Sequence, residues 1–277
     1  MGLGRWMGWL NKERLSDEMS ANGENARILV LANQKGGVGK STTAINLSAC
    51  LAEEGHRVLV VDLDPQGNAT SGLGLAHRDG GKCIYNILIE NAPVLEVIRD
   101  TAIEGLDVVP ATIQLAGAEI ELVSAISRET KLKRALEDVT HNYEYIVVDC
   151  PPSLGLLTVN ALTAGMELVI PIQCEYYALE GVSKLLDTVE LVKNNLNPHL
   201  RLGGVILTMQ DARTKLSEQV IQEVRQYFGK KAFGTVIPRS VRLSEAPSFG
   251  QPITVYDGGS KGAEAYRKLA KEVMNCG

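Results

Sequence analysis

The run Ile28-Leu29-Val30-Leu31 leads through Ala32-Asn33 into Gln34-Lys35-Gly36-Gly37-Val38-Gly39-Lys40-Ser41-Thr42, and an apolar-periodic segment follows from Ala44 to Leu51. No other stretch restricts the fold of this chain as much. A strand, a glycine-rich turn and a helix start, in that order, make a cradle for phosphate. The glycines let the backbone come close to an anion without Cβ clashes. The N–H groups of the turn and first helical turn, with the helix dipole, favour negative charge. In such a loop Lys40 reaches the β- and γ-phosphates and the Ser41 hydroxyl ligates Mg²⁺, while Gly36, Gly37, Val38, Gly39 and Thr42 complete the cradle. The strict pattern asks for glycine six residues before the lysine, and Gln34 stands there. A second lysine, Lys35, sits at the front of the loop, placed to project toward a phosphate bound by another subunit.

Downstream, short apolar runs alternate with helical patterns. Strands are expected at 28–32, 58–61, 106–109, 145–148, 168–172, 204–208 and 235–237, and helices at 42–53, 116–124, 132–139, 156–164, 178–194, 217–227 and 262–274. Strands this apolar and this rich in Val and Ile are buried on both faces. The alternation predicts an α/β fold: one doubly wound, mostly parallel sheet with helices on both faces. Residues 27–277 are expected to form that single domain, with 1–26 a separate arm. Trp6, Trp9 and Leu10 in the arm suit either an unordered extension or a short adhesive segment. The segment around Pro247, Gly250 and Pro252 reads as a loop.

Composition excludes several classes. No apolar run approaches the roughly 18–20 residues that span a bilayer. Cys50, Cys83, Cys150, Cys174 and Cys276 are scattered without paired spacing, which argues against a disulfide framework or a zinc site. The net charge is −5, yet residues 199–277 carry 12 Lys+Arg against 7 Asp+Glu. A basic third on an acidic chain suits a local phosphate-binding face.

Two further strand ends carry acids. Val58–Val61 delivers Asp62 and Asp64 before Pro65, and Tyr145–Val148 delivers Asp149 before Pro151-Pro152. In open α/β sheets ligands bind beyond the carboxyl ends of the strands. Asp64 there could orient the water that attacks a γ-phosphate, and Asp149 could hold Mg²⁺ through water.

Taken together, the loop 34–42, Asp62-Leu63-Asp64-Pro65-Gln66-Gly67-Asn68 and Asp149-Cys150-Pro151-Pro152-Ser153-Leu154-Gly155 resemble the ParA/Soj family. These are chromosome- and plasmid-partitioning ATPases of the deviant Walker A class, which also includes MinD. The resemblance runs from about Arg27 to the last helix. It implies ATP and Mg²⁺ as cofactors and an ATP-sandwich homodimer in which Lys35 contacts the opposite subunit's nucleotide. It further implies Lys40 on the phosphates of its own subunit, Ser41, Asp64 and Asp149 at the metal, Asp64 as the hydrolytic aspartate, and Gly36 at the dimer contact. Met209, Pro238 and Arg239 match the family's adenine-contacting positions, and Arg213 and Arg242 its arginines for sequence-independent double-stranded DNA. Implied partners are a second copy, DNA and a ParB-like centromere-binding protein, in the cytoplasm on the nucleoid and without stable membrane association. The alternative is a MinD-like membrane-associated ATPase that places the division site, although the final segment 262–274 lacks a Phe, Trp or Ile stripe.

Overall fold

The structure, a computed structural model, describes residues 26–75, 81–176 and 178–276. The expectations for the arm therefore lie outside the described residues. Strand β1 (Arg27–Leu31) is followed by α1 (Lys40–Glu53), β2 (Val58–Asp62), α2 (Asn68–Gly72) and α3 (Ile84–Leu88). Then come β3 (Arg99–Asp100), β4 (Leu106–Val109), α4 (Leu115–Glu121), α5 (Lys131–Glu137), β5 (Tyr145–Asp149), α6 (Leu156–Ala164) and β6 (Glu167–Gln173). The chain ends with α7 (Val182–Asn195), β7 (Arg201–Gln210), α8 (Lys215–Phe228), β8 (Ala232–Pro238), α9 (Val241–Glu245), α10 (Ile253–Tyr256) and α11 (Lys261–Asn275).

The eight strands form one sheet in the order β3-β4-β2-β5-β1-β6-β7-β8. All neighbours run parallel except β3 against β4. Side chains alternate across each strand, and the core divides accordingly. Ile28 and Val30 pack under α3 to α8, whereas Leu29 and Leu31 pack under α1 and α11. From β1 the connections run outward in both directions, first through β2 to β4 and later through β6 to β8. The glycine-rich loop leaves β1 at this reversal of strand order, where open α/β sheets form ligand crevices.

Each expected strand and long helix is present, and the departures have local causes. The helix expected at 178–194 begins only at Val182, because Gly181 at φ 82° takes the left-handed conformation that precedes it. The segment read as a loop around Pro247 is helical: α9 continues into a 3₁₀ turn over Ala246–Phe249. Proline is accepted there because it falls in the first turn of that 3₁₀ segment, where a backbone N–H has no intrahelical partner to lose.

Both sheet edges are blunted. β3 is only two residues long and carries Arg99 and Asp100. On the other side β8 breaks register with β7. There the Glu272 carboxylate of α11 accepts from the Gly234 and Thr235 N–H groups at 2.7 and 2.8 Å, and Arg225 of α8 donates to the Gly234 carbonyl at 2.9 Å.

Candidate phosphate- and metal-binding site

Buried Asn33 fixes the start of the glycine-rich loop. Its Nδ2 donates to the Pro171 carbonyl at 2.7 Å, and its Oδ1 accepts from the Lys35 N–H at 3.0 Å. Gly37 and Gly39 have φ of 72° and 87°, a region closed to most side chains. Helix α1 then starts at Lys40 with no capping side chain and no acid in its first turn. The N–H groups that a cap would take stay available to an anion. From β7 the Thr208 hydroxyl donates to the Val38 carbonyl at 2.8 Å and holds the loop from behind.

The two lysines differ. Lys40 is buried, and its ammonium donates to the Lys35 carbonyl at 3.3 Å. Burial lowers its pKa, with the Asp149 charge acting against that shift. Lys35 is half-buried, and among the described residues its ammonium makes no hydrogen bond or ion pair. Gly36 is exposed, and a Cβ added there would come no nearer than 3.9 Å to anything, at Pro152. Among the described residues nothing requires glycine at that position.

Asp62 and Asp149 are register partners at the ends of β2 and β5, both fully buried. Asp62 is satisfied: Oδ2 accepts from the Thr70 N–H at 2.8 Å and the Thr70 hydroxyl at 2.7 Å, and Oδ1 accepts from the Asp64 N–H at 3.1 Å. Burial pushes its pKa up to about 6. Neither oxygen of Asp149 completes a hydrogen bond. Burial, then the facing Asp62, push its pKa well above the carboxylate range, and nearby Ser41 and Lys40 offset this only in part. Asp64 is buried beside them, and its Oδ1 accepts from the Gln66 N–H at 3.0 Å.

An uncompensated buried carboxylate is costly unless a cation or donor meets it. Among the described residues no group of three or more His, Cys, Asp or Glu could hold a metal ion alone. A hydroxyl and one or two carboxylates suit a hard cation that brings water and phosphate oxygens with it, which is how Mg²⁺ binds beside nucleotides. Ser41, Asp149 and Asp64 fit that role.

Met209, Pro238 and Arg239 come together where β7 and β8 end. Gln210 pairs with Pro238, and the Arg239 N–H donates to the Gln210 carbonyl at 2.9 Å. The Met209 Cε lies 3.8 Å from where a Gly39 Cβ would stand. Met209 holds φ at 55°, a strained value that marks a conformation imposed by its surroundings. Arg239 pairs with Glu175. The two arginines read as DNA contacts are exposed but occupied. Arg213 makes a two-pronged pair with Asp211, at 2.9 and 2.8 Å. Arg242 lies near Glu245 and Asp257, at 3.4 and 3.6 Å, with its guanidinium over Tyr256. A cleft of about 1070 Å³ adjoins the site through Pro65, Gln66 and Thr70, and no residue of the glycine-rich loop lines it.

A protein-family model described as an AAA domain matches residues 26–202. Sporulation initiation inhibitor protein Soj of Bacillus subtilis is 64% identical over 247 residues, spanning 89% of this chain and 98% of that protein. The chain belongs to the Soj/ParA family. A second Soj/ParA relative, the chromosome partitioning protein ParA of Myxococcus xanthus, is 54% identical and covers 90% of this chain and 88% of its own length. Among solved structures, cobyrinic acid a,c-diamide synthase from Mycobacterium smegmatis, with bound ADP and magnesium, superposes with a TM-score of 0.80. It is 38% identical and covers 90% of this chain and 94% of its own.

Sequence reading of this Soj/ParA chain missed three residues that shape the site. Asn33 carried a signal, since asparagine at a strand end often bonds to backbone two residues on. Thr70 and Thr208 carried none, because their partners come from distant strands or across a turn.

Proposed function

We propose that this protein is an Mg-ATP-dependent partition ATPase that acts as a dimer across a shared pair of nucleotides. The contrast between its two loop lysines supports this most directly. Lys40 is buried and bonded within its own loop, whereas the Lys35 ammonium makes no hydrogen bond or ion pair among the described residues. With Gly36 exposed and uncrowded, a second subunit can approach the loop closely. Lys40 and the first N–H groups of α1 would hold the phosphates, and Met209, Pro238 and Arg239 would border the base. Ser41, Asp149 and Asp64 would hold Mg²⁺, which neutralises charge on the β- and γ-phosphates. Asp64 would orient water for hydrolysis. A triphosphate contacted by lysines of both subunits links nucleotide occupancy to dimerisation.

The dimer would bind double-stranded DNA without sequence preference through Arg213 and Arg242. DNA phosphates there compete with Asp211 and Glu245 for the guanidinium groups. A ParB-like centromere-binding partner would stimulate turnover and release the dimer. Among the described residues no helix is long and apolar enough to cross a membrane.

The test is a DNA titration with ATP, ADP or no nucleotide at several salt concentrations. Binding should require ATP, ignore sequence and fall steeply with salt. In Lys35→Ala, ATP should still bind, while sedimentation shows monomers and DNA binding is lost. A persisting ATP-dependent dimer in that variant would count against the shared-nucleotide reading.

A further inference from the structure

The glycine-rich loop is held to the sheet at two points, one on each side of Gly36 and Gly37. The far half is held by β7: the Thr208 hydroxyl donates to the Val38 carbonyl at 2.8 Å, and the Thr43 N–H closes onto the Gly39 carbonyl at 2.9 Å as α1 begins. Lys40 and Ser41 stand on that half. The near half is held by β6 through Asn33, which is only 3% exposed and bonds to the Pro171 carbonyl at 2.7 Å and the Lys35 N–H at 3.0 Å. Beside it Gln34 leans on the start of α7, with its Oε1 3.5 Å from where a Gly181 Cβ would stand.

The two halves meet at the backbone of Lys35. Its N–H is taken by Asn33, and its carbonyl accepts from the Lys40 ammonium at 3.3 Å. These two grips are not equally lasting. A phosphate oxygen carries charge that a carbonyl lacks and makes the stronger bond to an ammonium, so a nucleotide in the loop draws Lys40 away from the Lys35 carbonyl. Asn33 is neutral, buried and tied at its other end to β6, so its hold persists. Among the described residues it is then the side chain that fixes the Lys35 backbone.

We infer that Asn33 is a positioning residue for the contact between subunits. It fixes the peptide from which Lys35 reaches the nucleotide of a second copy, while Thr208 fixes the half that holds the chain's own nucleotide. This rests on the shared-nucleotide reading above and names the group that aims its lysine. A long lysine side chain must be ordered when it binds, and a loose peptide beneath it adds backbone freedom that the contact must also freeze. Asparagine suits the task because its side-chain oxygen accepts from the N–H two residues on while its NH₂ group donates elsewhere. A serine there could make the first bond, more weakly, and is too short for the second.

The experiment compares the wild type, Asn33→Ala, Asn33→Ser and Thr208→Val by two measurements. One is sedimentation velocity with Mg²⁺ and a non-hydrolysable ATP analogue. The other is titration of a fluorescent ATP analogue into protein dilute enough to stay monomeric. Asn197→Ala is the control for lost stability, since it removes another buried asparagine, bonded to the Leu162 and Gly165 carbonyls at 3.0 and 2.7 Å. In a two-fold dimer each substitution counts twice. Asn33→Ala should dimerise about 30-fold more weakly, with nucleotide affinity of the monomer lowered by no more than about threefold. Asn33→Ser should recover part of the dimerisation. Thr208→Val should show the reverse, with nucleotide affinity lowered about 10-fold and normal dimerisation once saturated. Asn197→Ala should match the wild type in both. An Asn33→Ala protein that dimerises normally overturns the inference and leaves the shared-nucleotide reading intact. Equal losses of nucleotide affinity and dimerisation also overturn it, because Asn33 would then brace the whole loop. So does a serine variant as weak as the alanine one, since the bond to Lys35 would not be what matters. A wild type that stays monomeric with the analogue removes both proposals together.

Discussion

Asp62 and Asp149 occupy equivalent places on adjacent parallel strands, paired in register and equally buried, yet the chain treats them oppositely. Asp62 receives three hydrogen bonds, and Thr70 carries its influence on to the Ala111 N–H at 2.9 Å. It is a structural hub that shapes the turn holding Asp64. Asp149 receives none. Burial alone does not make a carboxylate functional. What separates the two is whether the fold has supplied partners, and at Asp149 the fold leaves that task to something that binds.

The comparison can be broken by neutralising each acid in turn. The largest effect expected is on turnover: Asp149→Asn should lower ATP hydrolysis by about 10²–10³-fold, the usual loss when a charge-stabilising group is removed from an active site. A steady-state phosphate-release assay measures it, and near-normal turnover would assign Asp149 a structural role. Next, Asp62→Ala strands the Thr70 donors and the Asp64 N–H, at a cost of about 3 kcal/mol in stability by urea unfolding. Thr70→Val loses the hydroxyl bonds to Asp62 and Ala111 and should cost about 1–2 kcal/mol in the same assay. The smallest effect has the opposite sign. Without nucleotide and magnesium, Asp149→Asn removes a buried carboxyl group that faces Asp62 with no hydrogen-bond partner and should stabilise the protein by about 1 kcal/mol. A destabilised Asp149→Asn protein would place the two acids in one class after all.

Much of this was legible in the chain because the signals are local. The loop 34–42 declares itself by the spacing of glycine and lysine within nine residues, and Asp149 by an apolar run that ends in Pro151-Pro152. The division of labour between Asp62 and Asp149 was not legible, since it depends on Thr70, eight residues beyond Asp62 and folded back across a turn. Arg213 and Arg242 match DNA-contacting positions in the sequence, but their ion pairs with Asp211 and Glu245 on an irregular surface leave no periodic trace. For the helix expected at 116–124 the sequence pattern announced the element without saying that Ile120 and Val123 would face water. Short elements such as α2 and β3 fall below the length at which a repeat can be recognised.

The way Glu272 and Arg225 occupy the backbone of β8 bears on crowding. Proteins that gather many copies on one surface risk zipping together strand by strand, because an open ladder is a template without an end point. Here one outer strand has two amides and one carbonyl engaged by neighbouring helices, and the opposite one is a two-residue stub bearing an arginine and an aspartate. Local enrichment of this protein can therefore rise steeply while neither edge of the sheet offers an open template for fibres.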